Sequence, residues 1–411
     1  MQAVNRPPLA GLRIVECSML GPAAVTTYLA DMGADVIKVE PPGGDYVRRM
    51  TWPIVEGVSL MHLHLNRGKR SVTLDLRRPE GREVFLDLVR GADAVVEAMR
   101  PGGLERRGLG FDVLRDANPR VVLVSISGFG STGPYRDMPS HGIAYDTWAG
   151  LVTPAVDGEG HTYLPEQPSV GIHAGPLFGA LGILAGVLAA RETGEGSRYE
   201  VAQSDAAAAV DWLRSETWKA YERPEDEVTG NASDGYARRA PGTGGMRDAV
   251  RYQVYGSKDG HVLFQASERA FWESFCRGVD RDDLFARYPG EPVADHARGN
   301  RTLQAELRAI FRQRTTAEWV AFGMAHDTPI APVNSPRTLA DDPQFADRLG
   351  FLPREALGAE QLPLPLKVVD GELPVPAMAP TPGQHTDDVL RETLGYAAGR
   401  IADLRATGAL G

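Results

Sequence analysis

The basic side chains Arg67, Lys69, Arg70, Arg77 and Arg106 have the chemistry to hold an anion. Planar guanidinium forks match the oxygens of phosphates and carboxylates. The imidazoles of His141 and His173 can exchange a proton near neutral pH. Cys17 follows an apolar run, but an isolated free cysteine is more often a buried hydrophobe than a nucleophile.

The elements that must position these groups begin at Leu12–Asp45, which reads strand, tight turn, helix, strand. Leu12–Glu16 is an apolar run, Gly21-Pro22 turns the chain into a helix, and Gly33 caps it. Ala34–Glu40 then alternates as a strand. Further strands are expected at Ala94–Glu97 and Val121–Ser127, with helices between them. Alternation of this kind specifies a doubly wound α/β sheet whose strand ends carry a ligand. The opening lacks the G-x-G-x-x-G pyrophosphate turn, which argues against a nicotinamide or flavin enzyme.

The chain has 411 residues, 43% hydrophobic and 24% charged, enough for more than one domain. A net charge of −10 argues against nucleic acid as a partner. Two distant cysteines imply no disulfide framework and fit a reducing cytoplasm. No signal core opens the chain, and the apolar run Pro176–Ala190 falls short of the ~20 residues of a membrane span. It is expected as a buried helix packed on the sheet, and no membrane partner is expected. No metal-ligand cluster stands out.

Residues 1–221 are assigned to a large α/β domain and 222–249 to a glycine-rich linker containing Gly242-Thr243-Gly244-Gly245. Residues 250–327 open on a hairpin around Ser257-Lys258-Asp259-Gly260 and read as a smaller α+β domain. Residues 328–411 are proline-punctuated and are expected to return to the large domain.

Several segments together resemble the family III CoA-transferases, which include formyl-CoA transferase, carnitine CoA-transferase and α-methylacyl-CoA racemase. They include GPAAVTTYLADMGADVIKVEPP, NRGKRSVTLDLRRPEG, ADAVVEAMRPGGLERRGLG, NPRVVLVSISGFGSTGPY, GILAGVLAARETGEG, TPIAPVNSP and GQHTDDVLRETLGY. They occur in the family's order over about residues 10 to 396. The resemblance implies a Rossmann-like large domain built from both chain ends, a smaller α+β domain, and two ring-like chains interlocked in a homodimer. It implies coenzyme A or acyl-CoA as substrate, with no permanently bound cofactor and a free carboxylic acid as a second partner. CoA contacts carry over to Met19 and Leu20, to Leu74, Asp75, Leu76 and Arg77, to Ala98, Met99 and Arg100, to Arg106, and to Ser140 and Gly142. Some members have an arginine after the second strand, where this chain has Pro41.

The resemblance also locates a gap. Family transferases attack the thioester with an aspartate just before the Gly/Ala-rich helix. Here that segment reads QPSVGIHAGPLFGALGILAG, which puts Ile172 in its place, or Gly171 if the alignment slips by one residue; neither side chain is a nucleophile. No Asp or Glu lies between Glu166 and Arg191, leaving Glu166 as a replacement nucleophile. The racemase branch uses a histidine assisted by a glutamate. SHGIAYDTWAG places His141 on the histidine, and FQASERAFW places Glu268 on the glutamate. His173 is the candidate second base, and Glu268 could equally stabilise the first turn of a helix. Asp146 is read as a packing and hydrogen-bonding residue. Three readings stand: CoA transfer between carboxylic acids, α-proton chemistry on an acyl-CoA (racemase, epimerase or isomerase), and a non-catalytic CoA-binding protein.

Overall fold

The structure, a computed structural model, describes residues 6–50, 53–230, 236–238, 240, 246–369 and 371–411. The Gly242–Gly245 stretch lies outside the described residues. Contacts divide the chain into two units, Met1–Trp212 with Leu349–Gly411, and Leu213–Arg348.

The first unit is a mixed α/β fold around a parallel six-stranded sheet. Its strands are β1 (Arg13–Cys17), β2 (Asp35–Glu40), β3 (Arg70–Thr73), β4 (Ala94–Glu97), β5 (Val122–Ser127) and β6 (Arg198–Ala202), in the order β6-β5-β4-β1-β2-β3. The order reverses between β1 and β4, where Ile14 pairs with Ala94 and Cys17 with Glu97. Open sheets of this kind bind ligands outside the carboxyl ends of the strands at the reversal.

Successive strand side chains point to opposite faces, and both faces are covered. Val15, Ile37, Val72, Val95 and Leu123 pack on Phe85 and Leu88 of α2 (Pro79–Arg90) and on Ile401 and Leu404 of the last helix. Ile14, Val36, Val96 and Val124 pack on Val25 and Leu29 of α1 (Ala24–Asp31) and on Ile183 and Val187 of α4 (Gly171–Thr193). The returning segment also covers the open edge of β3. There the His385 amide donates to the Ser71 carbonyl at 2.9 Å, and the Ser71 amide donates to His385 Nδ1 at 3.1 Å. An uncovered edge would offer unpaired backbone groups to another chain.

Helix α4 is longer than the apolar run Pro176–Ala190, and only one of its faces is buried. Gly171 and Gly175 lie against Gln203, and Gly186 lies against Val122 and Tyr199; an added Cβ at these points would come within 3.0 Å of a neighbour. Glycine suits these points because the helix backbone lies too close to its packed neighbours to leave room for a side chain. Leu177, Leu181 and Leu188 on the same helix are exposed, which corrects the expectation of a fully buried helix.

The second unit carries an antiparallel sheet of β7 (Tyr252–Gly256), β8 (His261–Gln265) and β9 (Ile330–Pro332), in that order. Strand β9 lies in the TPIAPVNSP segment that the sequence placed in the returning tail; Phe264 of β8 pairs with its Ile330. Phe264, Trp272, Phe275, Phe311 and Trp319 fill the core of this unit.

Candidate functional site

Two cavities open at the carboxyl ends of the six-stranded sheet. One, of about 440 Å³, takes residues that follow β1, β4, β5 and β6: Met19, Ala98, Gly128 and Gln203. The other, of about 460 Å³, takes residues that follow β1 to β4, including Met19, Pro41, Leu74 and Ala98. They share Met19, Ala98 and Met99, the residues beyond the two strands flanking the reversal. Each volume is within the range of ligand sites.

The turn after β1 is held from below by a buried charge cluster. Glu16 is fully buried and accepts hydrogen bonds from Ser18 Oγ at 2.8 Å and from Thr26 Oγ1. It pairs with Lys69 at 2.8 Å and with Lys38 at 3.2 Å. Lys38 Nζ also donates to the Ser18 carbonyl at 2.6 Å, and Lys69 Nζ donates to the Ala23 carbonyl at 2.8 Å. Both ends of the Ser18–Ala23 turn are thereby fixed. Within it Leu20 adopts φ 57° and ψ −145°, a conformation disfavoured for residues with a side chain. Such strain costs about 1–3 kcal/mol and persists only where surroundings impose it. Burial alone would raise the Glu16 carboxyl, but the two ammonium groups and its hydrogen bonds hold it down at about 2. Burial lowers the Lys69 ammonium to about 8 against the pull of Glu16, with Lys38 adding to the fall. Two ammonium groups on one carboxylate keep Glu16 ionised, while burial and the neighbouring Lys38 together outweigh Glu16 at Lys69.

The first cavity meets the start of α4 at Ile172, which lines it. Pro176 has no N–H to give to the Ile172 carbonyl four residues back. Asp146 Oδ1, fully buried, accepts from the Val170 and Gly171 amides at 3.0 and 2.9 Å and so caps the helix. Gln203 is 3% exposed and lines the same cavity, and among the described residues its Oε1 has no hydrogen-bond partner. Ser140, His141 and Gly142 line it too, as do Leu20 and Arg100. His141 and Arg100 are exposed, and among the described residues their side chains make no ion pair or hydrogen bond. Gly128 admits Ser140 and Tyr145, since an added Cβ would overlap the Ser140 hydroxyl.

The other candidates are dispersed. His173 is exposed on the first turn of α4, and Glu166 is exposed before it; neither lines the first cavity. Glu268 belongs to the second unit, where it precedes α6 (Arg269–Gly278) and accepts from the Ser267 hydroxyl at 2.9 Å.

Two of the cations singled out as phosphate ligands are committed elsewhere. Arg67 is fully buried and forks onto Asp31 at 3.0 and 2.7 Å, while Lys69 belongs to the Glu16 cluster. Burying an unpaired charge is costly, so these pairs do not open to solvent ligands. Arg70 forks onto Asp35 at 2.8 and 2.7 Å. Arg77 lines the second cavity with Leu74, Asp75 and Leu76; its fork on Asp75 holds that carboxyl at about 2. Arg106 is exposed and donates to the Pro101 carbonyl at 3.0 Å, and it is Arg107 that lines the second cavity. Cys17 also lines it, but burial pushes its thiol far up and removes it as a nucleophile.

Arg107, Arg136, Tyr145 and Gln203 were not among the sequence candidates. The position of Gln203 directly after β6 was the available signal, because every strand of the sheet contributes residues just past its end.

The family model for CoA-transferase family III matches residues 9–386. The chain is 31% identical over 419 residues to the succinyl-CoA–L-malate CoA-transferase beta subunit of Chloroflexus aurantiacus, covering 97% of each chain. It is 32% identical over 407 residues to the succinyl-CoA:mesaconate CoA-transferase of Haloarcula marismortui, covering 93% of this chain and 96% of that one. Its fold is similar to the crystal structure of a CAIB/BAIF family protein from Brucella suis, with a TM-score of 0.76 and 26% identity over 95% of this chain and all of the other. A parallel sheet of this order, a groove along its carboxyl ends, and a family match over nearly the whole length agree: the chain belongs to CoA-transferase family III.

Proposed function

We propose that this protein moves CoA from an acyl-CoA to a free dicarboxylic acid, with both substrates held along the carboxyl ends of the sheet. The observation that carries this is the pair of cavities joined at Met19, Ala98 and Met99. In this reading the CoA phosphates lie near Arg77 and Arg107, and the thioester lies in the first cavity beside His141. The similar proteins named for succinyl-CoA, L-malate and mesaconate point to short dicarboxylates. Arg100 and Arg136 give that cavity the cations such acids need. No cofactor beyond the CoA thioester is required. A homodimer, interlocked as in the family, fits the exposed leucines of α4.

The unpartnered imidazole of His141 favours a second reading, in which it removes the α-proton of an acyl-CoA with help from Glu268. One experiment separates the two. The protein is incubated with succinyl-CoA and a panel of free acids in deuterated water, and the thioesters are read by mass spectrometry. Transfer predicts a new acyl-CoA matching the added acid, with no deuterium at the α-carbon. Deuterium without a new thioester, abolished by His141→Ala, would replace it with the proton-transfer reading.

A further inference from the structure

We propose that the incoming acid supplies the attacking carboxylate itself, so that transfer proceeds in one ternary complex with no acyl group on the protein. This rests on the transfer reading above. Exchange of CoA between two acids needs a carboxylate oxygen at the thioester carbon. Among the described residues lining the first cavity, Asp137 is the sole carboxylate, and it sits in solvent with Arg136 3.5 Å away. At the start of α4 the cavity wall is the hydrocarbon of Ile172. What the cavity does offer is cationic and ring N–H donors that make no ion pair or hydrogen bond among the described residues: the Arg100 guanidinium and the His141 imidazole. That set suits a bound carboxylate, and among the described residues lining the cavity none but the solvated Asp137 could do the acid's work.

The chemistry balances without any added reactant. A carboxylate oxygen of the acceptor bonds to the thioester carbonyl carbon as the C–S bond breaks. This releases CoA thiolate and leaves a mixed anhydride of the two acids. The thiolate then attacks the acceptor's carbonyl carbon, and its bond to the bridging oxygen breaks. The donor acid departs as a carboxylate carrying that oxygen. One negative charge is present throughout, and no proton is gained or lost. Holding both substrates together makes the first step intramolecular in effect, which is where most of the acceleration arises.

The bridging oxygen is the test. Full-length protein in molar excess over succinyl-CoA is mixed with an acceptor acid labelled in both carboxyl groups with oxygen-18, and one turnover is quenched. The ternary route predicts one labelled oxygen in each released succinate and none in the protein. Initial rates with both substrates varied should give intersecting lines. Unlabelled succinate, a labelled protein carboxylate located by peptide mass spectrometry and parallel rate lines would overturn the proposal while leaving CoA transfer intact. Absence of any new thioester would instead overturn the transfer reading on which it rests.

Discussion

Glu16→Gln will cost about 3–5 kcal/mol of folding stability, the range for breaking a buried ion pair from one side. The carboxylate is fully buried and is shared by Lys38 and Lys69, so removing its charge leaves two ammonium groups facing each other without it. Asp45, 3.3 Å from Lys38, compensates only one of them. Equilibrium denaturation by urea measures the loss. The double variant Glu16→Gln, Lys69→Met should recover part of it, because it removes one of the stranded charges. The acid limb should change as well. Glu16 titrates at about 2 in the folded chain against an ordinary value of 4.5. A depressed carboxylate contributes stability that is present above 4.5 and is lost as pH falls towards 2. The wild-type protein should therefore lose stability across that window more steeply than Glu16→Gln. Equal acid limbs would show that Glu16 carries no charge in the folded state.

The second large effect is on catalysis. Arg100→Ala should raise KM for the free acid by about 10- to 100-fold, the equivalent of roughly 1.5–3 kcal/mol for a hydrogen bond to a charged group. Arg100 lines the first cavity and makes no ion pair among the described residues, so its fork is available to a substrate carboxylate. Binding of CoA itself should be little changed, since Arg77 and Arg107 line the other cavity. Arg100→Lys should recover only part of the loss, because an ammonium cannot make the two parallel bonds of a guanidinium. Steady-state kinetics with the acid varied, together with calorimetric titration of CoA, separates the two effects. Equal weakening of acid and CoA would place Arg100 on the phosphates instead.

Much of the sheet was legible because its strands are short apolar runs separated by turn residues and amphipathic helices. Val121–Ser127 and Ala94–Glu97 were located within one residue from that pattern alone. Ile172 was legible as a residue at the start of the Gly/Ala-rich helix, where it lines the first cavity. The fate of the basic residues was not. Arg67, Lys69 and Arg77 look alike in sequence, yet Arg67 faces Asp31 and Lys69 faces Glu16 in the interior, while Arg77 is on the surface. Their partners lie 36, 53 and 2 residues away, and only the last pairing is local. Gln203 was missed for a related reason: its place directly after a strand is a signal only once β6 is known to lie beside β5 in the sheet. The length of α4 escaped because Pro176 reads as a helix start, whereas the helix begins a turn earlier under the cap from Asp146.

The most direct measurement is a crystal structure of the protein with succinyl-CoA, collected before turnover. It should show the thioester carbonyl in the cavity lined by Ile172, His141 and Arg100, with the pantetheine passing Met19 and Ala98 toward Arg77. A thioester bound away from the sheet's carboxyl ends, with that groove holding only solvent, would contradict the assignment of these residues to CoA chemistry.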